Sequence, residues 1–216
     1  MASVSSPYGL KPINLIGGQP YAGSFREFKL STNNSAAIFN GDVIQLTSAG
    51  NPQAITATPT AIKIPATSAD ATAGIVGVCV GVRYVTPAQQ SQQQYAQYLP
   101  VNAITGGYTD VWIRVVDDPD ALFQIQGSAA FGTLTNGAYG AIGKNAALGN
   151  FSAGSTSTGN SGVNLVVGTN GASLAATSTL AMRVVDVVAG TTGDTYPELI
   201  VKFNVGVHSY QNSLGV

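Results

Sequence analysis

Alternation with a period of two runs through this chain, and helical periodicity is nearly absent. In 198–208, Leu199, Val201, Phe203, Val205 and Val207 alternate with Ile200, Lys202, Asn204, Gly206 and His208. Side chains of a strand point to opposite faces in turn, so such a run specifies one buried and one wetted face. The second set, His208 included, is therefore expected to face solvent. The same reading gives strands over 24–30, 42–47, 53–58, 73–85, 94–99, 110–116, 121–126, 162–168 and 180–188. Between them stand segments such as TNNSA, SAGNP, ITGG, TNGAYG, GTNGAS and GTTGD, whose Asn-Gly, Gly-Gly and Gly-Asp pairs supply positive φ at little cost. Many short strands separated by such turns predict an all-β fold, a barrel or a sandwich, of which a β-tulip is one form.

Two strands carry more detail. In 74–84, Val76, Val78, Val80, Val82 and Tyr84 are expected on a core face. Ile75, Gly77, Cys79, Gly81 and Arg83 form a nearly bare face, where another backbone can approach or the strand bends. In 110–117, Val111, Ile113 and Val115 oppose Trp112, Arg114 and Val116.

Length sets the scale of the body. A chain of 216 residues can bury a core without staples, and its one cysteine, Cys79, forms no disulfide within the chain. Residues 1–20, with Pro7, Pro12, Pro20 and the Gly17-Gly18 pair, read as an extended arm. Residues 21–216 form the β-rich body, and Gly106-Gly107 is a seam that would divide it into subdomains of about 21–106 and 107–216. The stretch 143–162 is rich in Gly, Ser, Thr and Asn and reads as a long exposed loop.

Charge narrows the partners. Charged residues are 9% of the chain, against about 25% in typical soluble domains, so hydroxyl and amide side chains or protein partners must cover its surface. The nine Lys and Arg are scattered and balanced by ten acids, which argues against nucleic acid as a partner. No run approaches the roughly 20 apolar residues that span a bilayer, and MASVSSPYGLKPINLIGG does not read as a secretory signal, so no membrane partner is expected.

Catalytic chemistry finds little to work with. The single histidine, His208, has no G-x-S-x-G elbow to serve, and one Cys with one His cannot build a structural zinc site. Cys79 lies in the most apolar run and is expected to act as a small hydrophobe. The densest charge is VVDDPDALFQIQ at 115–126. Asp117, Asp118 and Asp120, with Asp110, are weak candidates for a calcium site, but the spacing of a calcium-binding loop is missing. Adjacent carboxylates also cannot face each other across a cleft as a glycosidase pair does. Aspartate followed by proline favours a type I turn, and three like charges are expected to point into water. The chain is therefore expected to be no enzyme and to need no cofactor.

The same block resembles a known family. V-V-D-D-P-D-A-L-F-Q-I-Q (Val115 to Gln126) resembles the V-x-D-D-P-x-x-x-F-x-I-Q block of the capsid decoration, or cement, proteins of tailed bacteriophages, in particular marine and cyanobacterial phages. Pro7-Tyr8-Gly9-Leu10-Lys11-Pro12 is similar to their P-x-G-L/F-x-P opening. Asn40 to Leu46, Gly74 to Tyr84, Tyr98-Leu99-Pro100 and Phe203 to His208 resemble further blocks of that family in the same order, with a gap over 143–162. The resemblance implies a β-rich virion protein, often a homotrimer, made in the host cytoplasm and seated on the outer capsid surface. There it would clamp neighbouring capsomers of the major capsid protein. Residues 7–12 would belong to the capsid-contacting arm. A tail or fibre module that binds carbohydrate through 143–162 is the alternative that the loop's composition suggests.

Overall fold

The computed structural model describes residues 4–46, 50–54, 75–134, 136–151, 154–178, 180–204 and 208–211. Within them the chain is all-β and sandwich-like, built of antiparallel sheets with only short 3-10 turns between strands. The strands are β1 (Lys11–Leu15), β2 (Arg26–Lys29), β3 (Ile38–Phe39), β4 (Val43–Leu46), β5 (Pro52–Ala54), β6 (Ile75–Val85) and β7 (Gln94–Ala96). They continue with β8 (Tyr98–Leu99), β9 (Thr109–Val116), β10 (Ala121–Gln126), β11 (Asn145–Gly149), β12 (Asn164–Val166), β13 (Met182–Val187) and β14 (Glu198–Phe203). Residues 47, 55–58, 73–74 and 205–207 of the expected strands lie outside the described residues.

The first sheet has the order β1-β10-β14-β13-β11-β12. The second runs β2-β9-β6-β4-β5, with β7 on the far half of β6, and β3 pairs β8 apart from both. Two apolar cores follow. One is built on Phe123, Phe203, Leu148, Leu165, Leu199 and Val201 of the first sheet, and it also takes Val43, Ile75, Val78 and Val116 from the second. The other gathers Ile38, Ile44, Val76, Leu99, Ile113 and Val115. Each such side chain contributes about 1.5–3 kcal/mol by leaving water, and the edge-to-face contact of Phe123 and Phe203 at 5.5 Å adds to the first core.

Strand β6 serves both cores, which corrects the simple alternation expected of it. One extra residue, Val76, lies between its pairings with β4, and another, Val80, between its pairings with β9. Each bulge reverses which face follows. Val76, Cys79, Val82 and Tyr84 therefore enter the second core, while Ile75, Val78 and the half-buried Val80 face the first. The expected close approach is real at Gly77, where an added Cβ would lie 2.1 Å from the Val116 carbonyl oxygen.

Three further expectations are corrected. Residues 11–15 are not a free arm: they form an edge strand on β10, and Leu10 is wholly buried. Alternation could not reveal this, because prolines break the pattern. Residues 143–162 are not one exposed loop, since β11 is buried along its whole length on small side chains, Asn145-Ala146-Ala147-Leu148-Gly149. Gly106-Gly107 is not a seam but the end of a compact turn, in which Gly106 and Gly107 donate to the carbonyls of Asn102 and Ile104. The chain passes from the second sheet to the first at 117–120 instead, between β9 and β10.

Candidate interaction surfaces

The aspartates of the 117–120 crossing separate, and each has its own partner. Asp118 Oδ1 accepts from the Asp120 N–H at 2.8 Å, the local bond that makes the turn. Asp120 pairs with Lys202 of β14. Asp117 Oδ2 accepts from Arg26 Nε and from the Tyr210 hydroxyl, both at 2.9 Å. Only part of the expectation of water-facing carboxylates survives, because the Asp117 side chain is 16% exposed. Asp110 lies elsewhere, on the second sheet. Among the described residues no group of three or more His, Cys, Asp or Glu side chains could hold a metal ion.

His208 corrects the expected solvent-facing histidine. It is 0% exposed and lies between the rings of Phe203 (5.9 Å) and Tyr210 (5.2 Å). It also bridges to Ile75 of β6, and its Nδ1 accepts from the Tyr210 N–H at 3.3 Å. Nε2 is buried without a hydrogen bond of normal geometry, although the Val76 backbone is near enough to favour the charged form. Burial prevails and holds the imidazole below its ordinary 6.5, against the pull of the Asp117 carboxylate. The C-terminal segment is thus fastened over the crossing. Asn204, expected outside, is buried as well and donates to the Leu180 carbonyl. Cys79 is buried as expected, and desolvation pushes its thiol up to about 12.

The N-terminal segment meets the body at a second junction. Gly9 passes between Gly41 and Ser161, where a Cβ would lie 2.6 Å from the Gly41 carbonyl oxygen; its φ of +77 adds a second reason for glycine. Leu10 N donates to Gly41 O, Gly41 N to Cys79 O and Ser161 N to Asn40 O, which ties four segments together. Asp42 is buried among them. Its Oδ2 accepts from the Phe39 N–H at 2.7 Å, while Oδ1 is buried without a hydrogen bond of normal geometry. Desolvation raises its carboxyl from 3.8 to about 6, with Ser161 and Phe39 tempering the rise. Pro7 and Tyr8 stand at the rim and form one wall of an open cleft of about 460 Å3, opposite residues 154–162. Burial and the neighbouring Glu198 carboxylate raise the Tyr8 hydroxyl well above the usual phenol range, and Lys11 Nζ lies 3.9 Å from its ring centre. Pro12 belongs to β1.

The outer face of the second sheet carries a cluster of charged and aromatic side chains. With Val111, Ile113 and Val115 turned inward, β9 presents Asp110, Trp112 and Arg114 outward, and pairing aligns them with Glu27 and Lys29 of β2 and with Arg83 of β6. Glu27 binds both arginines, Arg83 at 3.3 Å and Arg114 at 3.2 Å. Asp110 binds Arg83 at 3.0 Å, accepts from Trp112 Nε1 at 2.7 Å and accepts from Gln93 at 2.9 Å. The Trp112 hydrogen bond, followed by the charge of Arg83, holds the exposed Asp110 carboxyl below its usual range. Arg83 stacks on Trp112 at 5.2 Å, and Arg114 lies against Phe25 at 4.8 Å and Tyr95 at 4.4 Å. Arg114 reaches Tyr95 across β6 at Gly81, its register partner, which offers no side chain to obstruct it. The result is a fixed lattice of guanidinium and aromatic planes, with Tyr95 62% and Phe25 43% exposed. No sequence motif announced it, because its members come from four strands.

Comparison with protein-family models, with curated proteins and with solved structures found no match to this chain.

Proposed function

We propose that this chain is a capsid decoration protein, a binding and not a catalytic component of a phage particle. It would sit on the outer surface of an icosahedral shell and hold neighbouring capsomers of the major capsid protein together, most simply as a homotrimer. The outer face of the second sheet carries this reading. Trp, Tyr and Arg dominate the energetics of protein interfaces, and here Trp112, Tyr95, Arg83 and Arg114 are pre-set by their own contacts, so little side-chain freedom remains to be lost on docking. The low overall charge agrees with large surfaces that are covered in the particle. A protein that binds the assembled shell and not its separated parts stabilises the shell by mass action.

Clamping then falls to this face more than to residues 7–12, which are already committed to their own body at Gly41 and β10. Quantitative mass spectrometry of purified particles tests the proposal. Copies in simple ratio to the major shell protein are expected. A dozen or fewer would assign the chain to a tail or fibre, and absence from the particle would overturn a virion role.

A further inference from the structure

We infer that the cleft between the N-terminal segment and residues 154–162 is a binding site for a neutral oligosaccharide. The inference does not rest on the decoration reading. The cleft is about 460 Å3, within the size of sites that enclose small ligands, and none of its lining side chains carries a charge. Ser6, Pro7 and Tyr8 form one wall, and Asn150, Ser155 and Thr158 stand among the residues opposite.

The polar groups of the far wall are held before any ligand arrives. Ser155 Oγ accepts from the Thr158 N–H and Thr158 Oγ1 accepts from the Asn160 N–H, both at 3.3 Å. A hydroxyl fixed through its oxygen still has its hydrogen to donate. Asn150 donates through Nδ2 to the Gly162 carbonyl at 2.8 Å, which orients its Oδ1 as an acceptor. Two hydroxyl donors and an amide acceptor opposite Pro7 and Tyr8 match a sugar ring, which has hydroxyls around its edge and apolar C–H groups on its face. Lys11 covers one face of the Tyr8 ring, which leaves Pro7 and the other face for those groups. None of the lining residues is a cation or a carboxylate, and the two charges next to Tyr8, Lys11 at its ring and Glu198 near its hydroxyl, are of opposite sign.

The test begins with an array of neutral and acidic oligosaccharides. The strongest neutral binder is then titrated into the isotope-labelled full chain and followed by NMR. Binding with a Kd of about 1 mM or tighter is expected, with amide shifts centred on Tyr8, Ser155 and Thr158. Ser6→Trp fills the mouth of the cleft from an exposed position and should abolish binding. Thr158→Val should weaken it about tenfold. Tyr95→Ala, on the other surface, should leave it unchanged. Unaltered circular dichroism and melting of Ser6→Trp separate blockage from misfolding. Binding that survives Ser6→Trp, shifts centred elsewhere, or an array that captures only acidic sugars or nothing would each overturn the assignment.

Discussion

At the crossing between the sheets, Asp117 holds Arg26 and Tyr210; on the outer face of the second sheet, Glu27 and Asp110 hold Arg83, Arg114 and Trp112. Both clusters combine carboxylates, guanidinium groups and aromatic rings. They differ in what lies beneath and what lies above. Under the crossing sits His208, wholly buried, so the ring-and-charge contacts there close the body over its own C-terminal segment. Under the outer face sits the second core, already closed by Val111, Ile113 and Val115, and Tyr95 and Phe25 above it are open to a partner. The first arrangement spends its contacts on folding, and the second leaves them available for binding. Substitutions in the two clusters should therefore report in different assays.

The largest effect is expected at His208. His208→Ala removes a buried ring between Phe203 and Tyr210 and should cost about 3 kcal/mol in urea unfolding. The histidine also sets a pH dependence. Its folded pKa lies below 6.5, so its contribution is present above 6.5 and is lost as pH falls through the folded value. Because Asp42 titrates with the opposite sign in the same range, the test is made with Asp42→Asn in place: stability of that variant that holds level from pH 7 to 5 would contradict a neutral, buried imidazole.

Asp42 sharpens the contrast with a carboxylate that no Lys or Arg pairs with among the described residues. Its folded pKa of about 6 is raised from 3.8, so its favourable contribution is complete below 3.8 and is lost as pH rises through about 6. The gap between 3.8 and about 6 corresponds to about 3 kcal/mol across that window, with opposite sign to His208. Asp42→Asn should remove this dependence and raise stability at pH 7 by about 1–2 kcal/mol, which denaturant titrations at a series of pH values would show. A slope unchanged by the substitution would mean that the carboxylate is solvated.

Shell binding is where the outer face should answer. Arg114→Ala together with Trp112→Ala is expected to weaken sedimentation with shells by about 2 kcal/mol, roughly thirtyfold. The cost in stability should stay smaller than the binding loss, because the core beneath, closed by Val111, Ile113 and Val115, is left in place. Unfolding on the same scale as the binding loss would make the face a structural feature like the crossing.

Much of the architecture was legible in residues. Runs such as Leu199-Val201-Phe203 and Val111-Ile113-Val115 declare their inner faces because one side of each strand is wet. The aspartate turn was legible too, because Asp118 makes it through a bond two residues long. Strand β11 was hidden because Ala146, Ala147 and Gly149 fill a tight site that favours small residues, and composition reads these as loop. Bulges at Val76 and Val80 were hidden because they arise from pairing with other strands. His208 was assigned the wrong side for a related reason. It belongs not to β14 but to a later segment that bridges to β6. The outer face escaped because a surface assembled from β2, β6, β7 and β9 has no spacing along the chain to detect.

Asp117→Asn should have the smallest effect and makes the most direct comparison with the outer face. The amide keeps an acceptor for Arg26 and Tyr210 but loses the charge, and Arg26 is 60% exposed, so water already screens half of that pair. About 1 kcal/mol should be lost in unfolding, mostly through the Tyr210 bond and the packing of its ring on His208. His208 should then titrate at a lower value, because the Asp117 carboxylate is the largest of the influences that oppose burial. The histidine ring signals in NMR would show that shift directly. Shell binding should be unaltered. If Asp117→Asn instead weakened shell binding as much as Arg114→Ala with Trp112→Ala, the crossing would lie within the docking surface, and the division between a cluster that closes the fold and a cluster that meets a partner would fail.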